Sequence, residues 1–476
     1  MGEDRPGGPL VTRRPPLRGD ELPEIRVPPP GPKSRASSRR LRRAEGAAIW
    51  GADPSPIVWS RARGSVVEDL DGNRYVDLTS GFGAATLGHA SPEVARAVAA
   101  QARRLSQGLG DLHPHVAREK LVRKLSALGG ALSRVLVTGT GSEAVELALK
   151  TAALATGRRR VVAFEGGYHG QSGAALEVTH FPRSPELLQP AGPPRAIPIP
   201  FPDPRHCGAR TPCEACDLSC LDRGWERSVT PELRGSDPPG AVIVEPVQGR
   251  AGVIVPPPEF LARLSALARE AGMLVIYDEI LTGAGRTGPF WAWKRSGAAA
   301  EPDLMTAGKG IGGGVAIGAL FGKSQVMEVW SRHVSSSGES PYASTFYAHP
   351  LACAGALAAL ERLTSEEIAS SREAIAGMLL DARPPLGFTI RALGAMAAIE
   401  PEDTRRSTTP SAEGGRRLAA PLDPDRTERS LYLPLLHRGV IAIPGGISSA
   451  AVSMYPAFTI TPQQLAHAMD VVSSLS

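Results

Sequence analysis

The sequence predicts an α/β fold with a large domain built on a mostly parallel sheet. From about residue 111 to 350, short apolar runs of strand length alternate with longer helical patterns, which is typical of a parallel sheet covered by helices on both faces. After His349 a long Ala/Leu-rich helix is followed by further short strands. That change predicts a smaller α/β domain, and we expect residues 46–105 to pack with it, so that both chain ends form it.

The individual elements follow from apolar runs and their flanking residues. Strands of the large sheet are predicted at Val135–Val137, Val161–Phe164, Val242–Glu245, Leu274–Tyr277 and Gly318–Phe321. A helix is predicted over Pro258–Ala271. Strands of the smaller domain are predicted near Phe388–Ile390, Ala397–Ile399 and Val452–Met454, with a polar loop around 401–427 and a final helix from Thr461. The predicted parts are an extension over 1–45, an N-terminal segment over 46–105, a large domain over 106–350 and a small domain over 351–476.

The first 43 residues differ in composition from the rest of the chain. They hold 11 Lys or Arg, 5 Asp or Glu and 9 prolines, a net charge of +6 within a chain whose total is +5. Such a composition lacks the apolar periodicity of a packed core. We therefore expect residues 1–45 to be a disordered basic extension. A role in binding polyanions is open in principle, but no aromatic interleaving supports it, and we expect no nucleic-acid or membrane partner.

Overall composition is that of a globular protein. The chain has 476 residues, of which 42% are hydrophobic and 21% charged, long enough for more than one core. No apolar stretch reaches the length that crosses a bilayer, and the N-terminus lacks the apolar core of a secretory signal. These features predict a soluble cytoplasmic protein.

Four of the five cysteines cluster within 14 residues, as Cys207, Cys213, Cys216 and Cys220. Four thiolates at this spacing could hold zinc or an iron–sulfur cluster, and they could equally be free thiols in a tight loop. We do not assign a metal. The surrounding stretch 181–240 contains 13 prolines, so we expect an irregular insertion outside the sheet.

Lys309 is the first candidate for chemistry. It follows the apolar run Leu304–Thr306 and is surrounded by glycines, among them Gly308 and Gly310. Glycine keeps side chains away from the ammonium and admits a flat ligand. A desolvated lysine has a lowered pKa and can form a Schiff base with a carbonyl. A solvated lysine in a surface loop would have the same local sequence, so this segment alone leaves both interpretations open.

Asp278 decides between them. The apolar run Met273–Tyr277 delivers this carboxylate at its C-terminal end, where ligands bind in open α/β sheets. A carboxylate there can pair with a protonated ring nitrogen, which pyridoxal phosphate needs in order to act as an electron sink. Lys309 and Asp278 together therefore predict a pyridoxal-phosphate site.

A phosphate site is predicted at a third strand end. The run 134–150 reads as strand, glycine turn and helix, with Gly139, Gly141 and Ser142 at the turn. The helix that follows directs its free N–H groups and the positive end of its dipole at the turn. Gly141 and Ser142 are thus candidate phosphate ligands.

These segments and several others, in order, make the chain resemble class III aminotransferases, the omega-amino-group type of pyridoxal-phosphate enzymes. Further matching blocks are Val67–Gly81, Gly88–Pro92, Phe164–Gly170, Val244–Gly249 and Ser344–Gly355. The resemblance covers roughly residues 46–476, and these blocks in their joint order are far more specific than any one of them. It implies the fold type I of pyridoxal-phosphate transferases and a homodimer.

The resemblance also implies residue roles. Lys309 would be the Schiff-base and proton-transfer lysine and Asp278 the partner of the ring nitrogen. Tyr168 would stack on the cofactor ring and Gln248 would contact its 3-hydroxyl side. Glu245, of the same block as Gln248, would also bind the cofactor. The remaining implied residues are Thr345, which would reach the phosphate in the neighbouring subunit, and Phe82, which would line the substrate side.

Three positions depart from better-known members of the family. Gln171 stands where they often carry a carboxylate-binding arginine, and the region near Ser453 lacks their second arginine. Arg250 stands where a glutamate often masks that second arginine. A carboxylate in a partly dry site favours a bidentate guanidinium, so Arg250 is either a relocated substrate anchor or a solvent-facing residue.

The predicted activity is amino-group transfer from an amine or amino-acid donor to an oxo-acid acceptor. A same-fold aminomutase or an amino-acid racemase or epimerase remains an alternative. A non-catalytic scaffold protein is a further alternative, against which the presence of Lys309 and Asp278 argues.

Overall fold

The structure is a computed structural model that describes residues 15–46, 57–181, 195–203, 217–334, 336, 338–402, 431–446 and 451–475. Its α-helices are α1 Pro32–Ala44, α2 Ser80–Gly83, α3 Pro92–Arg104, α4 Val116–Gly129, α5 Gly141–Thr156, α6 Gly173–Glu177, α7 Ser219–Ser228, α8 Phe260–Glu270, α9 Ser324–Met327, α10 Pro350–Leu363, α11 Glu366–Leu380, α12 Tyr432–His437 and α13 Pro462–Ser473. Its strands are β1 Trp59–Arg63, β2 Val66–Asp69, β3 Arg74–Asp77, β4 Arg134–Thr138, β5 Val161–Phe164, β6 Ala196–Ile199, β7 Ala241–Val244, β8 Leu274–Asp278, β9 Leu304–Ala307, β10 Gly318–Gly322, β11 Phe388–Leu393, β12 Met396–Pro401, β13 Val440–Ile441, β14 Ile443–Gly445 and β15 Ala451–Met454.

The large sheet has seven strands in the order β4-β10-β9-β8-β7-β5-β6. Strands β9, β8, β7, β5 and β6 run parallel, and β10 is antiparallel to both of its neighbours, β4 and β9. Because β10 is antiparallel to both β4 and β9, these two strands point in the same direction. The expected mostly parallel sheet is therefore confirmed, and all its strands except β10 end at one edge.

Both faces of this sheet are covered. Within β7, Val242 and Val244 belong to one buried apolar cluster, which also contains Phe260 of α8, whereas Ile243 belongs to a second cluster with Val145 of α5. Alternate residues of a strand point to opposite faces. Strands apolar on both faces are thus the reason that the sheet is buried between two helix layers.

Two smaller sheets are built from the chain ends. Strands β1, β2 and β3 form antiparallel pairs, and β13 adds to β3 in parallel. The other sheet has the order β11-β12-β15-β14. Pairing of β13 with β3 joins the C-terminal region to the segment after residue 57. The polar loop predicted around 401–427 lies, except for residues 401 and 402, outside the described residues.

The expectation of a disordered extension over residues 1–45 is wrong for residues 15–45. The backbone of Glu24 forms two hydrogen bonds with Arg74 of β3, and the Asn73 side chain accepts from the amides of Arg26 and Val27. Asp71 accepts from the first-turn amides of α1. This segment is ordered because the β2–β3 hairpin satisfies its backbone, so it needs no core of its own.

The expectation that all of 181–240 lies outside the sheet is also wrong. Strand β6 pairs in parallel with β5, with Pro198 opposite Ala163. Because β6 is the edge strand, the missing N–H of Pro198 costs no ladder hydrogen bond there. Within the same stretch α7 forms a regular helix that buries Trp225.

Among the described residues, the helices are all too short or too polar to cross a membrane.

Candidate active site

Five strand ends meet at the edge of the large sheet. Each end delivers a segment that the sequence singled out: Gly141 after β4, Tyr168 after β5, Glu245 after β7, Asp278 at the end of β8 and Lys309 after β9. Parallel alignment brings these ends together, since they leave the sheet in the same direction. The predicted residues therefore converge although their sequence separations are large.

Asp278 is held by three donors. Its Oδ2 lies 2.8 Å from His169 Nδ1, and its Oδ1 accepts from Thr306 Oγ1 and from the Ile280 amide, both at 3.1 Å. An ionised carboxylate only accepts hydrogen bonds, which assigns the proton to His169 Nδ1. Asp278 is 3% exposed. This arrangement fixes the carboxylate and leaves it ready to accept one more donor.

His169 is the functional candidate that sequence reasoning missed. It lies within the block 164–170, and its side chain is buried, but its contact with Asp278 spans 109 residues of sequence. The only local signal is its place beside Tyr168 in a glycine-flanked turn. Nothing in the sequence shows that this turn and the end of β8 are neighbours.

Lys309 opens a short 3₁₀ turn directly after β9. Its φ of 41° lies in the left-handed region, an uncommon conformation for a residue with a side chain and one that clusters at functional sites. Burial lowers the pKa of the Lys309 ammonium, while the charges of Asp278 and Glu245 act to raise it. A lysine so placed is easier to deprotonate and therefore more nucleophilic.

Glu245 lies between the Tyr168 turn and the turn that follows β7. Its Oε1 accepts from the Tyr168 amide at 2.9 Å and its Oε2 from the Gly249 amide at 3.2 Å. Burial raises the pKa of Glu245 to about 7, the neighbouring Asp278 charge adds to that rise, and His169 opposes it. Glu245 thus ties two site loops together, and burial holds its pKa well above the usual value of a carboxyl.

Gln248 is 1% exposed. Its Nε2 donates to the Glu165 carbonyl at 2.8 Å, whereas its Oε1 has no partner among the described residues. A buried acceptor without a partner costs free energy. The side chain is therefore held with an acceptor available for a ligand.

The start of α5 forms the predicted anion site. Thr140 caps the helix by accepting from the Glu143 amide, and Glu143 Oε2 accepts from the Gly139 amide at 2.8 Å. The first-turn amides of Gly141 and Ser142 have no acceptor within the helix. Ser142 Oγ lies 2.8 Å from Ser172 Oγ. Two hydroxyls and two amides thus face the same end of a 16-residue helix.

Gly170 allows the Tyr168 turn to approach this helix. Its φ is +130°, and an added Cβ would lie 2.2 Å from Ser142 Oγ. A side chain here would force the turn away from α5. The glycine therefore brings the ring-stacking and phosphate-binding candidates into one site.

Arg250 is packed against aromatic rings. Its guanidinium carbon lies 5.0 Å from the ring centroids of both Tyr168 and Phe181, and its side chain is partly buried. The alternative of a fully solvent-facing arginine is therefore not what the structure shows. Gln171 Nε2 donates to Tyr168 Oη at 3.3 Å.

Phe82 and Thr345 are exposed in the single chain. Phe82 is 56% exposed and has a φ of 59°, within a stretch of left-handed residues that also includes Ser80. Thr345 is exposed, and its carbonyl accepts from Gln107 Nε2 at 2.7 Å. No hydrogen bond joins either side chain to Lys309 or Asp278 among the described residues.

The cysteine cluster falls largely outside the described residues, which include none of Cys207, Cys213 and Cys216. Cys220 lies in α7 and is partly buried. No group of three or more potential metal ligands occurs in the described part of the chain.

Comparison with known proteins agrees with this geometry. The family model for class III aminotransferases matches residues 49–475. A 2-aminoadipate transaminase of Pseudomonas putida is 31% identical over 429 residues, which cover 88% of this chain and 95% of that protein. A 4-aminobutyrate aminotransferase of Mycobacterium leprae is 31% identical over 457 residues, which cover 94% of this chain and 96% of that protein.

Solved structures give the same result. An amine transaminase from an uncultivated Pseudomonas species, in its PLP-bound form, aligns with a TM-score of 0.76 and 26% identity, covering 90% of this chain and 98% of that one. An (S)-enantioselective omega-transaminase from Thermomicrobium roseum aligns with a TM-score of 0.73 and 28% identity, covering 91% and 93%.

Proposed function

Since the chain belongs to the class III aminotransferase family and is a pyridoxal-phosphate-dependent transaminase, we propose that Lys309 is its catalytic lysine and Asp278 the partner of the cofactor ring nitrogen. The observation that carries this proposal is their placement at the ends of adjacent parallel strands, β9 and β8. The relatives are amino-group transferases by name, which favours transamination over the isomerisation or racemisation that the sequence alone left open.

The residues of the site fit pyridoxal phosphate. The first turn of α5 offers Gly141, Ser142 and the positive end of a helix dipole to the phosphate. The unpartnered Oε1 of Gln248 suits a phenolic hydroxyl donor on the ring, and the aromatic ring of Tyr168 suits the flat face of a pyridine. When bound, the cofactor supplies an electron sink that stabilises negative charge at the substrate carbon.

Asp278 keeps the ring nitrogen protonated in this proposal. The carboxylate is buried and already accepts from His169 and Thr306, so its orientation is fixed before the ligand arrives. A buried ion pair of this kind holds a proton on the ring nitrogen more firmly than water would. His169 and Thr306 position the carboxylate without touching the reacting atoms.

Lys309 moves the proton. Its amine lies in a partly buried site where the pKa of its ammonium is lowered, which lets it accept a proton from the substrate carbon and return it elsewhere near neutral pH. The net reaction exchanges an amino group for an oxygen: an amine donor becomes an oxo compound, and an oxo acid becomes an amino acid. No external oxidant is required.

We also propose that the active unit is a homodimer. Leu109, Leu112, Val116 and Phe346 are exposed by 58%, 71%, 61% and 62%, and we call them the apolar patch. The hydrogen bond between Gln107 and the Thr345 carbonyl joins the two segments that carry it. Apolar surface of this kind marks protein interfaces, and a second copy covering it would place the exposed Thr345 against the neighbouring subunit, near that subunit's phosphate site.

Lys309→Ala tests the proposed function. The variant should fold, retain cofactor affinity through the phosphate site, and lose amino transfer from simple amines and amino acids to pyruvate and 2-oxoglutarate. Lys323→Ala is a matched control, because Lys323 is also a partly buried lysine but pairs with Asp303 on the amino side of β9. Wild-type turnover by Lys309→Ala with any donor would remove Lys309 from this role.

A further inference from the structure

Arg250 packs its guanidinium over two aromatic rings beside the site. The guanidinium carbon is 5.0 Å from the centroids of Tyr168 and Phe181, whose rings meet edge to face at 6.4 Å. Cation–π contact restrains the position of a guanidinium without using its N–H groups. The arrangement restricts the side chain to a defined orientation.

The N–H donors of this guanidinium are not used by any residue that the structure describes. Among the described residues, Arg250 has neither a carboxylate within ion-pair distance nor a side-chain hydrogen bond. Its backbone is nevertheless fixed, because its carbonyl accepts from the Gly446 amide at 3.0 Å and the preceding Gly249 carbonyl accepts from Tyr455 Oη at 3.1 Å. A fixed backbone thus presents a guanidinium whose five N–H donors have no acceptor in the described part of the chain.

Two neighbouring arginines, Arg391 partly buried and Arg286 buried, already donate to protein acceptors. Arg391 pairs with Glu400 and also donates to the Gly252 carbonyl. Arg286 donates to the carbonyls of Ala395 and Pro456. Both thus use several of their donors within the protein, whereas the Arg250 guanidinium has no hydrogen-bond partner among the described residues.

Arg250 is also electrostatically close to the reacting residues. Its charge acts to lower the pKa of Lys309, and Glu245 is the carboxyl of the same loop. At the two other positions discussed above, Gln171 and Ser453 are uncharged. An anion bound at Arg250 would therefore lie near the reacting residues, and neither Gln171 nor Ser453 offers it a second cation.

We infer that Arg250 selects the substrate class of this site, binding the carboxylate of an amino-acid donor or oxo-acid acceptor through its guanidinium. This inference rests on the proposed function and adds to it the residue that recognises the acid group. The guanidinium makes two parallel N–H···O bonds to the carboxylate while the rings of Tyr168 and Phe181 hold it in position. Gln171, which donates to Tyr168, steadies the ring on which Arg250 stacks.

The test compares two acceptors on the aminated holoenzyme, pyruvate with a carboxylate and butanal without one. For Arg250→Ala, the ratio of kcat/KM for pyruvate to kcat/KM for butanal should fall about ten- to a hundredfold, mainly through KM, because a charge-assisted bidentate contact is lost. For Arg250→Lys the same ratio should lie between those of wild type and Arg250→Ala, since a lysine keeps the positive charge but lacks the planar guanidinium. Lys150→Ala, which removes a cation stacked on Trp330 outside the site, should leave the ratio unchanged.

A binding measurement without turnover accompanies it. Calorimetric titration of the holoenzyme with butanoate should show at least tenfold weaker binding in Arg250→Ala, and thermal melting should show that both Arg250 variants are folded. An unchanged ratio, or equal losses for pyruvate and butanal, would overturn the inference. The two proposals can be told apart by the activity of the wild-type enzyme. If wild type transfers amino groups, only the role of Arg250 is overturned. If wild type transfers none, the proposed function is overturned.

Discussion

His169 Nδ1 lies 2.8 Å from Asp278 Oδ2, and both side chains are buried at the carboxyl edge of the large sheet. The histidine comes from the turn after β5 and the aspartate from the end of β8, with β7 between the two strands. The pair therefore links the segment that carries Tyr168 to the carboxylate assigned to the cofactor nitrogen.

Replacing His169 should lower the rate without preventing cofactor binding. His169→Phe removes a hydrogen bond to a charged group, worth about tenfold to a hundredfold in kcat/KM. His169→Asn keeps a donor and should recover part of the loss. Cofactor absorption and kcat/KM measured for both variants check this. Equal activity of the two variants would show that the Nδ1 hydrogen bond is not what matters.

Asp278→Asn should retain the cofactor and lose about 10²–10⁴ in rate, since an amide cannot hold the ring nitrogen protonated. Single-turnover reaction with an amine donor measures the loss. Asp303→Asn is the matched control, because Asp303 precedes β9 at the opposite end of the strand and pairs with Lys323. A rate within a few-fold of wild type for Asp278→Asn would exclude the proposed role.

The raised pKa of Glu245 should make the stability difference between wild type and Glu245→Gln depend on pH. Burial raises its pKa from 4.5 to about 7, so between these pH values the folded chain binds more protons than the unfolded chain, and this residue's contribution to stability falls as pH rises through that window. Glu245→Gln does not titrate. As the pH rises from 4.5 to 7, the free energy of unfolding of Glu245→Gln should therefore increase by on the order of 2 kcal/mol relative to that of wild type.

Urea unfolding of the cofactor-free proteins at several pH values measures this difference. Glu270→Gln, which removes an exposed carboxyl on α8, should show a much smaller change across the same window. A stability difference between Glu245→Gln and wild type that is flat with pH would contradict the raised pKa.

Phe346→Asp should weaken the dimer. It places a charge in the apolar patch, where desolvating a carboxylate opposes association. Leu386→Asp is the matched control, since Leu386 is 92% exposed and lies outside the patch. Sedimentation equilibrium should show dissociation at micromolar concentration for the first variant alone. A monomeric wild type, or a Phe346→Asp variant as dimeric as wild type, would contradict the proposed assembly.

Much of the site is predictable from sequence because strand, glycine turn and functional residue are adjacent in the chain. Lys309, Asp278 and Ser142 each follow a short apolar run, and parallel pairing then brings the runs together. His169 is not predictable in its role, since its partner is distant in sequence. The orientation of Arg250 likewise depends on Phe181, a ring 69 positions away in the numbering.

The two errors in the fold prediction share a cause. Amino-acid composition indicates whether a segment can form a packed core of its own. Residues 15–45 and β6 are instead ordered by backbone hydrogen bonds to neighbouring elements. A proline-rich or basic sequence does not prevent such pairing where the prolines fall at an edge.

The central claim is that Lys309 carries the cofactor. Reduction of the holoenzyme with borohydride, followed by proteolysis and mass spectrometry, fixes the pyridoxyl group on the residue to which it is bound. We predict that the label is found on the peptide containing Lys309 and is absent from Lys309→Ala. A label on another lysine of the wild-type protein, or no covalent label at all, would contradict the account.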